Sequence, residues 1–386
     1  MEENVKKPRR LVFWINVTYF VMLALLIGVQ ILSKTVLSQH LDNLDLNFVF
    51  ALLVQVGVMF IIPVTAFSVI KRQKLRDTFK DFKVNKISAK HIGISFLIGI
   101  CVFILNMCIS SLFSAIIMAL GYESVPTTST STGIDASFLN FMLVVFYSAF
   151  LPAICEEITH RGMLLNGYKK YGLTKALILS SLMFGLMHLN IHQFFYASIV
   201  GLIIGFIAIC ANSIIPAMIV HFTNNFINTY LDFASVNGWV GGNLYDAINA
   251  FRLSANPFTV ILISMALVSV VVFLLIYLIR KLLMERRGDE IDKNLRKIII
   301  SDTIKQKLQN NDLSTVETAL VDQNVKEAKD KIFDVLACRD ERVNLESLND
   351  EKVESKHPPL KDNIFFYASI VMASCMTLFT FIWGIL

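Results

Sequence analysis

Two adjacent carboxylates, Glu156 and Glu157, follow an apolar run from Phe138 to Cys155. A charge at the centre of a bilayer costs at least about 2.5–3.5 kcal/mol on insertion scales. Neighbouring acids also repel each other, so a chain that keeps both there has a use for them. Arg161 lies four residues past Glu157; on a helix the two share a face and can pair. Glu156 then points about 100° away and is left for chemistry. Two further polar sets lie downstream, Phe184, His188 and His192, then His221, Asn224, Asn225 and Asn228. His221 and Asn225 are again four apart and can aim at one point. A carboxylate with imidazoles can activate water as a general base, and imidazole and amide donors can hold a developing oxyanion. No serine or cysteine nucleophile is required.

Depth decides whether these sets can meet. At about 1.5 Å per residue, Glu156 lies about 20 Å from Lys169, His188 about 20 Å from Thr174, and His221 about 12 Å from Ser213. Those depths are compatible. They also make the helix carrying the acids about 50 Å long, longer than a bilayer, so it must tilt or bend, and Pro152 is the expected bend point. Each set has an ordinary reading. Glu157 and Arg161 read as a structural pair, His192 as structural, and His160 as facing water. A lone His188 would be a satisfied core histidine. Cys155 beside the acids reads as a small buried apolar residue rather than a nucleophile. The combination of Glu, His, His and Asn in three segments is what the ordinary readings do not absorb.

The elements that must position them are membrane helices. The chain is 55% hydrophobic and 17% charged, against roughly 45–50% and about 25% in soluble domains. The excess falls in nine blocks, roughly 11–33, 46–70, 91–120, 136–168, 173–190, 192–211, 213–235, 258–281 and 363–385. Stretches of about 18–30 apolar residues span a bilayer as helix, and β-barrel alternation is absent. The expected fold is all-α, a polytopic bundle of about eight to nine transmembrane helices. The first block is too long for a signal-peptide core and reads as a retained anchor.

The net charge of +5 is distributed by side. Lys6, Lys7, Arg9 and Arg10, then Lys71 to Lys83, Lys169, Lys170 and Lys175, and Lys281, Arg286 and Arg287 fall on one side if every block crosses. The opposite loops, 121–135 and 236–257, hold only Arg252. The positive-inside rule then makes the N-terminus cytoplasmic in a multi-pass cell-membrane protein. No aromatic-basic patch points to nucleic acid. The six cysteines include no CxxC pair, so neither a zinc knuckle nor a disulfide framework is indicated. Four regions follow: an extension with two spans (1–90), a core (91–281), a charged segment (282–361) and a last span (362–386). Within the third, 290–310 and 313–338 carry apolar residues at helical spacing, expected as amphipathic helices able to dock a protein partner. Thr127 to Thr132 reads as a mobile external loop, and Gly201 and Gly205 in an otherwise apolar block as a close-packing face.

Glu156-Glu157-Ile-Thr-His-Arg161 resembles the E-E-x-x-x-R motif of the type II CAAX prenyl endopeptidase and bacteriocin-processing family. Phe184-Gly-Leu-Met-His188 resembles its F-x-x-x-H motif, and His221-Phe-Thr-Asn-Asn225 its H-x-x-x-N motif. The resemblance implies an intramembrane endopeptidase acting on a peptide or lipidated protein substrate from the bilayer. It assigns Glu156 and His188 to the attacking water, His221 and Asn225 to the oxyanion, and Glu157 and Arg161 to support. It favours a metal-independent mechanism. Glu156, His188 and His221 are also candidate zinc ligands, an open His₂Glu set, so no cofactor and zinc both stay open. Two other classes stay open as well: a non-catalytic membrane scaffold or bacteriocin-immunity protein acting through partner binding, and transport, against which no inverted repeat is visible. The core 91–281 is expected to act without the tail and last span.

Overall fold

Apolar runs of this length give the backbone no hydrogen-bonding partner but itself. Among the described residues of the computed structural model (7–35, 44–119, 136–309, 321–326 and 364–383) the secondary structure is helical, with no strand. The order is α1 (Lys7–Thr35), α2 (44–71), α3 (Leu75–Asp81), α4 (Ala89–Ala119), α5 (138–171) and α6 (Leu173–Met187). Then follow α7 (Ile191–Ala211), α8 (Ile215–Asn237), α9 (Gly242–Ser254), α10 (Pro257–Gln309) and α11 (Ile364–Trp383).

Six of these helices are long and apolar enough to cross a membrane: Leu11–Leu32, Phe48–Lys71, Ala89–Ser114, Phe138–Tyr171, Gln193–Ala211 and Phe258–Ile291. The count of eight to nine is not reached on length and composition. Helix α6 has 15 residues, about 22 Å, short of a hydrocarbon core of about 30 Å. Helix α8 is diluted by His221, Asn224, Asn225, Asn228 and Asp232, and the apolar stretch of α11 runs only from Ile364 to Phe379.

Ser137 starts α5: it is extended and its Oγ accepts the Asn140 N–H at 3.3 Å, a standard N-cap. The helix is not uniform. Residues 146–150 and 158–165 are π-helical, either side of the α-segment Leu151–Glu157 that holds Pro152 and both acids. Proline removes an intrahelical donor, and a wider turn beside it accommodates the loss. A third π-segment, Leu53–Ile61, lies in α2 and packs against Leu151–Glu157. π-segments are rare and recur at functional sites. Here all three adjoin the acid pair.

Helix α8 packs along both α4 and α5. Its approach to α4 needs Gly99, where a Cβ would come within 2.5 Å of Thr223 Cβ. Helices α6 and α7 form a tight hairpin against the second half of α5, α1 and α2 cover the same half, and α11 packs on α1. At the other half of α5, Phe141, Val144, Val145 and Ala149 are buried with Phe233 of α8. The loops at one end of the bundle are tied together: Ile214 N–H donates to Lys83 O (3.0 Å), and Asn85 Nδ2 to Asn212 O (2.7 Å).

Two compact units are present, Met1–Ile279 with Ser355–Leu386, and Arg280–Glu354. In the second, residues 290–309 are helical as expected, and Arg296 pairs with Asp322 at 2.6 Å beside buried Val321 and Val325. Of the expected 313–338 helix only 321–326 is described, and it is helical. The Thr127–Thr132 loop lies outside the described residues.

Candidate active site

Helix α5 brings Glu156, Glu157, His160 and Arg161 inward, and all four are buried. The i,i+4 pair forms as expected: Arg161 Nη1 donates to Glu157 Oε1 at 2.8 Å, with exposures of 1% and 0%. The guanidinium is held on two further sides. Nη2 donates to Gly201 O at 2.8 Å, and the group stacks over the Phe184 ring at 4.6 Å. Gly201 eases that approach, because a Cβ would crowd Phe184 Cδ1 at 3.0 Å and Arg161 Nη2 at 3.4 Å. The close-packing glycine of the sequence is thus also an acceptor for the buried cation.

Phe184 is the hub. The rings of His160, His188 and His221 meet its ring edge-on, at 5.0, 5.3 and 5.8 Å. One aromatic side chain therefore gathers all three motifs. His160 corrects the expectation that it faces water. It is fully buried, its Nδ1 lies 2.8 Å from Glu156 O, and its Nε2 lies 3.5 Å from the Tyr19 hydroxyl.

His221 Nδ1 lies 2.9 Å from Glu157 Oε1. A carboxylate only accepts, so Nδ1 is the donor, and in the neutral ring Nε2 is an acceptor. That Nε2 faces Glu156 Oε2 at 4.0 Å, too far for a direct hydrogen bond. Glu156 Oε1 accepts from Gln55 Nε2 of α2 at 2.9 Å. Glu156 is therefore not free, as its position on the helix had implied, but oriented at one oxygen with the other turned to His221.

His188 follows the last residue of α6; Leu189, at φ +52°, ends the helix. Its side chain is partly exposed and makes no hydrogen bond among the described residues. Asn225 sits one turn past His221, with Nδ2 donating to Ser148 O at 3.2 Å and Oδ1 accepting from Asn224 at 2.9 Å. The structure brings Glu156, Glu157, Arg161 and His221 into one contact network. It sets His188 against the same phenylalanine, and anchors Asn225 to α5 at Ser148. The described residues contain no group of three His, Cys, Asp or Glu side chains placed to hold a metal ion.

Residues 138–227 match the family model for Type II CAAX prenyl endopeptidase Rce1-like proteins. No curated protein and no solved structure matched the chain. The Rce1-like segment runs from the start of α5 into α8 and contains all three motifs. It leaves out α1 and α2, which supply Tyr19, Gln55 and the Met59 carbonyl that accepts from Thr159 Oγ1 at 2.6 Å. Tyr168, near the end of the Rce1-like α5, donates to Asn16 of α1 at 2.6 Å. None of these partners was read from the sequence. The available signal was the isolated polar residue within an apolar run: Gln55 between Val54 and Val56, and Asn16 and Tyr19 in α1. Intramembrane polar residues face the interior and find partners.

Proposed function

We propose that this chain is an intramembrane endopeptidase that hydrolyses a peptide bond of a membrane-associated or lipidated substrate, with Glu156 as general base. The carrying observation is that Glu156 Oε2 and His221 Nε2 face each other across 4.0 Å, without a direct hydrogen bond. A water in that gap would be held by both side chains, donating to Glu156 and, with His221 neutral, to Nε2. Glu157 plays the orienting carboxylate, holding His221 in the tautomer that presents Nε2, as the third member of a triad does. Arg161 offsets the second buried carboxylate. This geometry favours His221 as a partner of Glu156 in holding water, where the family resemblance placed it at the oxyanion.

In the reaction, water loses a proton to Glu156 while its oxygen bonds to the scissile carbonyl carbon. The carbonyl oxygen takes the negative charge; the second N–H of Asn225 and the His188 ring, which makes no hydrogen bond among the described residues, are its donors. Collapse breaks the C–N bond, and the proton on Glu156 passes to the leaving amine. A single oxyanion donor is worth about 2.7–4 kcal/mol where it has been measured. No metal is needed for this scheme. The Glu156, His188 and His221 zinc reading is weakened because Glu156 and His221 are each engaged by another side chain.

The chain would lie in the cell membrane as a multi-pass protein with a cytoplasmic N-terminus. The tied loops at 83–85 and 212–214 lie at one end of the bundle, as that topology requires. Residues 91–281 would be the catalytic core, helped by 1–90, with 282–361 as a partner-binding segment and no role for nucleic acid. The test is membrane proteomics on cells carrying wild type or Glu156→Ala. New substrate termini present only with wild type are expected; identical termini in both would overturn the reading.

A further inference from the structure

A cavity of about 570 Å³ lies between α4, α8, α9 and α10, away from the acid pair. Its volume falls inside the range of about 300–1,000 Å³ typical of small-molecule sites. Its walls are almost wholly apolar. Several wall residues are themselves exposed hydrophobics, among them Leu244, Ile248 and Phe251 of α9 and Ile263 and Leu267 of α10. The cavity is thus continuous with surface that, on helices of this composition, faces hydrocarbon. Helix α9 also carries polar contacts to α8: Asp246 accepts from Ser235 at 2.6 Å, and Tyr245, which also lines the cavity, donates its OH to Asp232 at 3.0 Å. An amphipathic helix of this kind lies in the plane of the membrane interface.

Arg252 also lines the cavity. It is the lone base of residues 236–257, half-buried, and among the described residues bonded to the neutral Asn249 Oδ1 at 3.3 Å. No carboxylate lies within 4 Å of it among the described residues. The two nearby acids are already engaged, Asp232 by Tyr245 and Asn228, and Asp246 by Ser235. Burial pulls the Arg252 pKa down from its usual value, and burial pushes the Tyr245 hydroxyl up to about 12, so Tyr245 stays a neutral neighbour. A half-buried guanidinium is a strong bidentate partner for phosphate, and an uncompensated one is costly.

We propose that this cavity holds one acyl chain of an anionic phospholipid, with the lipid phosphate on Arg252. An apolar slot open to hydrocarbon calls for a chain, and the single cation at its wall calls for an anion. A phospholipid has both and is present in any bilayer the chain enters. The site is independent of the catalytic reading, since none of its walls includes Glu156, His188 or His221.

The test uses the full chain, delipidated in a mild detergent, with melting temperature followed against added dioleoyl phosphatidylglycerol, dioleoyl phosphatidylcholine, oleate or inorganic phosphate. Phosphatidylglycerol should raise the melting temperature with a midpoint roughly tenfold below that of phosphatidylcholine, a difference of one decade in affinity. Arg252→Gln should erase that preference while leaving the phosphatidylcholine midpoint unchanged. Ser264→Phe, which fills the slot from α10, should weaken both lipids. Native mass spectrometry of wild type and Arg252→Gln counts retained phosphatidylglycerol directly, should a variant melt too early to titrate. Equal preference in wild type and Arg252→Gln overturns the phosphate contact. Stabilisation by inorganic phosphate alone, or by oleate as strongly as by phosphatidylglycerol, overturns the phospholipid assignment. Unchanged lipid binding by a folded Ser264→Phe overturns the cavity as the site.

Discussion

Helices α5 and α8 meet twice, and the two meetings use opposite chemistry. At one end Phe141 sits among the rings of Phe233, Trp239, Phe226 and Tyr230, with centroids 5.2 to 6.4 Å away. At the other end, α5 and α8 are joined by the buried Glu157–His221 contact at 2.9 Å, with Arg161 on the same oxygen at 2.8 Å. Lipid tails are as apolar as leucine, so apolar helices gain little by leaving them; shape and ring geometry hold the first meeting. The second is held by groups that cannot be left unpaired. Removing a piece of the ring cluster leaves a cavity. Removing a piece of the acid cluster leaves a buried charge, and only at that end does a change of one atom also remove chemistry.

The sharpest way to break the contrast is Glu156→Gln, which keeps the shape and the Gln55 contact and deletes the proposed base. Cleavage should fall by about 100- to 10,000-fold, the usual worth of general-base catalysis, with the melting temperature close to wild type. Normal cleavage would leave the scaffold reading standing. Arg161→Ala comes next. It breaks one partner of a buried pair and should cost about 3–5 kcal/mol, read as a lower melting temperature in detergent together with lost activity. Arg161→Lys should recover only part, because an ammonium cannot reproduce the fork that serves Glu157 and Gly201 together. Wild-type stability in Arg161→Ala would show that the pair is not what holds this end. Phe141→Ala is the matched control at the ring end. It should cost about 3 kcal/mol of stability by cavity formation while the folded fraction turns over at the wild-type kcat. A fall in kcat like that of Glu156→Gln would mean the two ends are coupled.

The two ends were also unequally legible. The helices of the ring end follow from apolar length, and α5 and α7 run close to the blocks read from hydropathy, whereas α10 continues unbroken to Gln309, past the expected end at 281. The acid end was legible on α5, α6 and α8 because charged and polar residues in apolar runs are conspicuous, and the i,i+4 rule placed Arg161 on Glu157. What escaped was whatever required knowing which helices are neighbours. Gln55 sits 101 residues from Glu156 in a span read as an extension. The π-segments on either side of the acids left no mark in the apolar pattern of α5. Nor does any glycine or proline announce that α6 stops at Met187; the stop is made by Leu189 at φ +52°, a conformation leucine rarely adopts. His160 was misjudged for the same reason, since its partner Tyr19 comes from α1.

That inequality is itself testable through Gln55, which belongs to the acid end in space and to the extension in sequence. A hydrogen bond to a charged group is worth about 1.5–3 kcal/mol. Gln55→Leu should therefore lower kcat by at least about tenfold with KM nearly unchanged, since the side chain orients Glu156 and is not placed to hold substrate. An unchanged kcat would return α2 to the role of packing.

The smallest effect should come from α11, which the sequence reading set outside the core. Phe365 of α11 meets Phe13 and Phe20 of α1 edge-on, each at 5.6 Å, and Phe366 meets Tyr168 at 6.1 Å. Tyr168 in turn is bonded to Asn16, and α1 carries Tyr19 to His160. Helix α11 is thus two contacts removed from the acids and touches none of them. Aromatic pairs add about 0.5–1.5 kcal/mol each beyond their buried area, so Phe365→Ala should cost about 1–2 kcal/mol of stability and leave kcat alone. Deleting residues 290–386 removes every one of these contacts at once, so the truncated chain should melt earlier than Phe365→Ala while keeping measurable cleavage at low temperature. A truncated chain as stable as wild type would make α11 an appendage. One that is stable but inactive would mean that residues beyond 290 take part in the chemistry, contrary to a catalytic set placed wholly in α5, α6 and α8.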